Sequence, residues 1–455
     1  MNIKSVVQSS LPAGLLLLGA ACSLADSDHE SLIPQLGSTP AATVTAPGTP
    51  ATPFVEADVE VLLTLTGEQT GDNFGWVAED LGDINGDGAN DFIVTAPSFK
   101  TNLPFSAGKF YVYSGAEGKL LNSVTSPGVP LLGYSAKDAG DVDGDGITDY
   151  VVGSFSSVMV FSGATHAIVQ QWFRPGEFFG ASVAGVGDLD SDGFDDLVVG
   201  ATYAGKRAAN RGRVYAYSGR TGELLWRRSG RRAGDQLGTA LGRLGDVNYD
   251  GIPDIVAGAR GAGRREEGRA YVLSGKNGRR LHTLRPIGEP GLTGDTAGVV
   301  AGTFAVFHAF GVGDIDSDGV ADIYIGDYNA RREDTDGTGR GYLFSGYTGR
   351  RLHVFEAENL GDGLGPARGV GDVDHDGIND IFVAAYTFTG GSFAGKGYLY
   401  SGAERRLLRT MTGAASGQLL GVDALGVGDV NRDGLTDYLL TGSGILHLIA
   451  GQAHR

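Results

Sequence analysis

Seven short stretches of this chain place oxygen donors at one fixed spacing. In the first, Asp83, Asn85, Asp87 and Asp91 stand at positions 1, 3, 5 and 9 of a loop, with Gly88 at position 6. Side-chain oxygens at alternate positions, wrapped around a glycine turn, are how a short loop surrounds a hard cation such as Ca²⁺. The pattern returns as Asp141, Asp143, Asp145 and Asp149, then as Asp188, Asp190, Asp192 and Asp196. It returns again as Asp246, Asn248, Asp250 and Asp254, and as Asp314, Asp316, Asp318 and Asp322. The last two copies are Asp372, Asp374, Asp376 and Asp380, and Asp429, Asn431, Asp433 and Asp437. Position 7 would add a backbone carbonyl, so the sequence predicts up to seven Ca²⁺ sites. Their expected affinity is on the order of 10⁻⁴ to 10⁻³ M, the range of extracellular modules.

The elements that must hold these loops repeat with them. The loops recur every 47 to 68 residues, the length of a propeller blade and far longer than a 12-residue calcium repeat. Each is followed by a short apolar run, such as DFIVTA (91–96) or DLVVGA (196–201), apolar on both faces as a buried strand must be. A second run ends in Ser-Gly, as in KFYVYSG and RVYAYSG, and a third follows a tight turn, as in GELLWRR. The segment leading into each loop supplies a fourth strand, for example FGASVAGVGD (179–188). Four strands in each of seven units, with no helical periodicity, predict an all-β fold: a seven-bladed β-propeller of four-stranded blades. The seventh unit ends at AGQAHR without its last strand, whereas VEVLLTL (59–65) precedes the first loop with no repeat before it. The N-terminal strand is therefore expected to complete the last blade and close the ring.

These residues resemble the FG-GAP repeat, the blade unit of the integrin alpha-subunit propeller. Phe74-Gly75 and Phe179-Gly180 match the FG element, and Thr95-Ala96-Pro97 and Gly200-Ala201-Thr202 approximate the GAP element. The resemblance covers residues 58–455 and implies a Ca²⁺ loop between the first and second strands of a blade. Leu237-Gly238, Leu364-Gly365 and Leu420-Gly421 replace FG, and an insertion (289–311) obscures it in the fifth unit. Leg domains, a transmembrane helix and a cytoplasmic tail are not expected from this sequence, so the integrin's signalling role does not follow; secreted prokaryotic proteins with this repeat are the nearer likeness.

Composition agrees with an extracellular scaffold. Glycine reaches 76 of 455 residues with only 15 prolines, which implies many tight turns and excludes collagen. The single cysteine, Cys22, excludes a disulfide framework and a cysteine metal site. The formal charge of −18 argues against nucleic acid as a partner, and most of it comes from the loop aspartates, so seven bound Ca²⁺ would bring it to about −4. Residues 1–25 carry Lys4 and an apolar stretch (11–22) too short to anchor in a bilayer, which marks a secretory signal. Two processing outcomes stay open: lipidation at Cys22, after LLGAAC, or cleavage after SLA (23–25), which would discard it. Residues 26–57, rich in Pro, Thr and Ala, are expected to form a disordered tether, and the propeller to span 58–455.

A partner is expected on the face away from the loops, where the connections vary most. Sixteen of the 28 arginines lie between 207 and 285. Arg227, Arg228, Arg231 and Arg232 in the third-to-fourth blade connection, with Arg264 and Arg265 in the fourth blade, form a candidate ligand-binding patch. Guanidinium groups bind carboxylate and sulfate bidentately, so an acidic glycan or an extracellular protein is the expected partner. The bland alternative is a solvated surface paired with Glu266 and Glu267. No catalytic residues stand out: His282 and His353 occupy equivalent strand positions, and His308 lies in the insertion with no metal partner near it in sequence. The chain is expected to be a non-enzymatic adhesion or binding propeller. The alternative is a polysaccharide lyase or hydrolase with a site assembled in the central channel.

Overall fold

The computed structural model describes residues 44–45, 53–126, 128–205, 209–263, 266–286, 303–330 and 338–453. The expected signal (1–25), Cys22, Arg264 and Arg265 lie outside the described residues, as does most of the expected tether. The described chain forms seven antiparallel sheets, six of them made of four consecutive strands in chain order. In the first blade these are Ala78–Gly82, Asp91–Ala96, Lys109–Tyr113 and Leu120–Thr125; later blades begin at Ser135, Phe179, Leu237, Ala309, Leu364 and Ala424. The only helical piece among the described residues is a 3₁₀ turn at Thr389–Gly391. No helix there is long and apolar enough to cross a membrane.

Packing explains why the second strands are apolar throughout. Alternate side chains of one strand feed the interfaces with the two neighbouring blades. Phe92 and Val94 join Leu425, Leu439 and Leu448 of the last blade, while Ile93 joins Tyr150 and Val152 of the second. Seven such clusters form among the described residues, one for each joint of the ring. The outer strands are more exposed, as at Ile168–Phe173, because nothing packs outside them.

The closure is as expected. Val61–Thr66 pairs antiparallel with Ile445–Ile449 as the outer strand of the seventh sheet, Val61 opposite Ile449 and Thr66 opposite Ile445. The packed chain starts earlier than residue 58. Phe54 is buried beside His447, with 5.4 Å between ring centroids, and Glu56 accepts hydrogen bonds from Thr410 and Thr412 of the sixth blade. Arg409 donates to the carbonyls of Asp58 and Ala450, so the entering segment ties the sixth blade to the seventh. The two residues Val44–Thr45 add a short fifth strand against Thr64 and Leu65.

The fifth blade shows what its insertion hid. Phe304-Ala305 occupies the place of Phe74-Gly75: the Ala305 amide donates to the Gly326 carbonyl at 3.0 Å as Gly75 does to Thr95. Ala305 sits at φ 57°, a left-handed conformation that glycine takes more easily.

Candidate functional site

Each aspartate-rich loop joins the first and second strands of its blade, so all seven lie on one face. In every loop the position 6 glycine has φ between 83° and 90° and turns its amide onto the position 1 aspartate. Those bonds measure 2.7–3.0 Å, from Gly88 to Asp83 through Gly434 to Asp429. The φ value is why glycine is required there.

The position 9 aspartate does something the spacing alone did not reveal. In all seven loops it is fully buried, at 0% exposure. One oxygen accepts the amide of position 2 at 2.7–3.1 Å, as between Leu189 and Asp196. The other accepts, at 2.8–3.3 Å, the amide of the glycine that ends the third strand, as between Gly219 and Asp196. The Ser-Gly ending is thus part of the loop's construction. A Cβ on Gly219 would lie 2.0 Å from the Asp195 carbonyl oxygen; Gly115, Gly163, Gly275, Gly346 and Gly402 meet a carbonyl oxygen at 1.8–2.0 Å and Gly451 at 2.5 Å. Even the divergent Ala450-Gly451 keeps the bond to Asp437.

Burial pushes these carboxyls up. Asp149 and Asp322 rise to about 6 and Asp196 to about 7, desolvation outweighing the amide bonds that favour the anion. A bound cation would reverse that balance. The donors fit one: in four loops, carboxylate oxygens of positions 1, 3 and 9 lie within 4.8 Å of one another. These are Asp141, Asp143 and Asp149, Asp188, Asp190 and Asp196, Asp314, Asp316 and Asp322, and Asp372, Asp374 and Asp380. Three carboxylates in that space repel one another unless a metal ion or protons intervene. The loops with asparagine at position 3 resolve the repulsion internally. Asn85 donates to Asp87 and Asp91, Asn248 to Asp254, and Asn431 to Asp433. Rotating such an amide would turn its oxygen inward as a ligand.

The opposite face carries the connections between the second and third strands and between blades. Arg227 and Arg228 lie on the outer strand Leu224–Ser229, and Arg231 and Arg232 on the connection to the fourth blade; all four are exposed. None has an ion-pair partner among the described residues. The backbone amides of Arg231 and Arg232 are both held by Asp235 at 2.8 Å, which fixes the turn that presents them. Neighbouring arginines are engaged: Arg213 with Glu177 at 3.6 Å, and Arg269 with Glu267.

The ring axis at this face holds a cavity of about 130 Å³ lined by residues of all seven blades. Its lining comes from the starts of first strands and the ends of second strands, which places it away from the metal loops. Trp76 meets Phe307 across the axis at 5.7 Å, and Tyr134, Tyr328 and Tyr386 continue the aromatic wall. The floor is charged. Lys137 pairs with Glu79, and Arg368 reaches Glu79 at 3.4 Å and Asp423 at 3.3 Å. Both cations lie over the Phe310 ring, Arg368 at 3.7 Å and Lys137 at 4.8 Å. His308, which no sequence pattern marked, lines the same cavity. Burial and the two nearby cations hold its imidazole well below the usual histidine range, so it is neutral at pH 7.

The FG-GAP repeat family matches residues 75–113 and 179–217, the strand-loop-strand-strand core of the first and third blades. The chain is 34% identical to integrin alpha-PS5 of Drosophila melanogaster over 121 residues, 24% of this chain and 12% of that one. It is 38% identical to integrin alpha-2 of Bos taurus over 96 residues, 19% of this chain and 8% of that one. Against integrin alpha-E of Mus musculus the identity is 32% over 120 residues, 24% of this chain and 10% of that one. The matched part thus spans about a tenth of the length of these relatives. Repeat match, relatives and a closed ring of seven four-stranded blades agree: this chain is a seven-bladed β-propeller that carries FG-GAP repeats and is similar, over the matched stretches, to integrin alpha subunits.

Proposed function

We propose that this chain is an extracellular, Ca²⁺-stabilised binding propeller, secreted or held at the cell surface or outer membrane, that acts in adhesion and not as an enzyme. The seven loops bind Ca²⁺ and brace the blades, and the ligand docks on the opposite face. One observation carries the docking site: Arg227, Arg228, Arg231 and Arg232 are exposed together, without carboxylate partners among the described residues, on a rigid scaffold. Guanidinium groups in that state favour a polyanion, and an acidic glycan offers carboxylates or sulfates at repeating intervals. An acidic protein surface would meet the same four side chains in the same way.

The experiment is a glycan and matrix-protein binding array run in calcium and in chelator, with the wild-type chain and a variant carrying all four arginines changed to serine. Binding to acidic polysaccharide that the variant loses supports the reading. Unchanged binding by the variant refutes the arginine site, and binding that ignores chelation refutes the bracing role of the loops.

A further inference from the structure

We propose that Ser114, Ser345 and Ser401 are positioning residues that raise the Ca²⁺ affinity of the first, fifth and sixth loops, and that the seventh loop lacks one because Ala450 stands in its place. The inference rests on the Ca²⁺ reading of the loops and adds to it a determinant of affinity that lies outside the loop sequence.

The difference lies in the carboxylate of position 5. In every loop one of its oxygens accepts the amide of position 7 at 2.8–3.1 Å, as between Val320 and Asp318. In three blades the other oxygen is held from outside the loop, by the serine that ends the third strand. Ser114 donates to Asp87 at 2.9 Å, and Ser345 to Asp318 and Ser401 to Asp376 at 3.3 Å. Each of these serines is buried and also accepts the amide of the residue three further on, at 3.1–3.3 Å. A hydroxyl fixed on its acceptor side directs its proton, so the carboxylate is oriented before an ion arrives. Such a bond to a metal-binding group is typically worth about tenfold or more in affinity.

The other loops lack that bond. Ser162 and Ser218 accept the same turn amide, each at 3.3 Å, but make no bond to Asp145 or Asp192 among the described residues. Ser274 is buried and its hydroxyl has no partner; the position 5 carboxylate that its counterparts hold is the acceptor it lacks.

Ring closure explains the alanine of the seventh blade. Elsewhere this position opens the tight turn into the fourth strand, its amide paired across that turn, as Ser345 with Arg350. In the seventh blade the fourth strand is Val61–Thr66 from the N-terminal side, so no turn follows, and the Ala450 amide donates to the Glu60 carbonyl at 2.9 Å. A hydroxyl there would have no turn amide to receive. The second oxygen of Asp433 is held by Asn431 at 3.0 Å. Asn431 is itself a prospective ligand, so that bond must break as an ion enters, and no serine takes over. Asn85 makes the same contact with Asp87 in the first loop, but there Ser114 remains.

The test measures calcium bound to the full chain by equilibrium dialysis over a calcium series, together with melting in chelator. Changing Ser114, Ser345 and Ser401 together to alanine should weaken their sites by about tenfold, moving that part of the isotherm to higher calcium with the saturating number of ions unchanged. Ser162→Ala with Ser218→Ala removes turn caps of the same kind and should leave the isotherm in place. Melting in chelator should fall for both sets, since each loses acceptors for turn amides, so calcium affinity is what separates them. Ala450→Ser should move one site to lower calcium. The inference is overturned if the triple variant and the wild-type chain share one isotherm, or if the Ser162 and Ser218 pair shifts it as far. A wild-type chain that binds no calcium overturns the Ca²⁺ reading itself, a different result from calcium binding that ignores the serines. Should the triple variant fail to fold, Ser401→Ala alone and Ala450→Ser still decide: binding unmoved by either overturns the inference.

Discussion

The two faces of this ring are built on opposite principles. On the loop face, one set of bonds is made seven times: position 1 to the glycine of position 6, and position 9 to two buried amides. On the other face the connections differ in length and sequence from blade to blade, and side chains of all seven blades come together at the axis. A loop whose own backbone needs the aspartates cannot change without losing its fold. The connections opposite rest on finished sheets and are free to differ, which is why recognition is assigned to them. Under the proposed function the loop face serves stability and the other face specificity.

Calcium is the largest lever on that contrast. Each occupied site at 10 to 100 times its dissociation constant adds on the order of 1–3 kcal/mol to unfolding, and the sites act on one ring. Calorimetric melting in calcium and in chelator should differ by many degrees, and equal melting temperatures would break the assignment of the loop face to stability. Next in size is the difference between staple and ligand within one loop. Asp196→Ala leaves the buried amides of Leu189 and Gly219 without an acceptor and should cost about 2–5 kcal/mol, in chelator as well as in calcium. Asp190→Ala, at an exposed position of the same loop, should cost stability only in calcium. Equal losses from both, measured by denaturant unfolding in each condition, would mean the loop has no division of labour.

A pH series sharpens the same point. In chelator the folded chain holds protons on Asp149, Asp322 and Asp196 up to about pH 6 to 7, whereas an unfolded aspartate releases them near 4. The folded state then binds more protons between those limits, so the contribution of these groups to stability falls as pH rises from about 4 to 7. In calcium the sign reverses, because protons compete with the metal for the same oxygens. Unfolding free energies at pH 5 and pH 7 that move the same way in both conditions would contradict the metal assignment. The smallest effect belongs to the other face: Arg227→Ser with Arg228→Ser should change stability by less than about 0.5 kcal/mol while altering what the ring binds. A large loss would make those arginines structural.

Much of this was legible before any coordinates. Asp83 and its six counterparts, each ahead of an apolar run, specify the blade, its number and the orphan strand at 59–65 that closes the ring. Less legible was anything whose partner lies in another blade. The Ser-Gly ending looked like a strand terminus, yet Gly219 is there because Asp196 and the Asp195 carbonyl leave no room for a side chain. Phe304-Ala305 hid in an insertion because alanine stands where the other blades carry glycine. Phe54 and Glu56 fell in a segment whose composition suggested a tether, and only contact with the sixth and seventh blades shows their packing.

The sequence by itself determined the ring, because a repeated unit cannot bury both faces of its strands alone and seven copies with one displaced strand have a closed solution. It also determined which oxygens share each loop, since they lie within nine residues of one another. Only the tertiary structure decided what meets at the axis. His308 and Arg368 are 60 residues apart and come from different blades, and closing the ring sets them in one cavity beside Trp76 and Tyr386. Local spacing encodes local chemistry, while a site assembled across the axis exists only once every blade is in place.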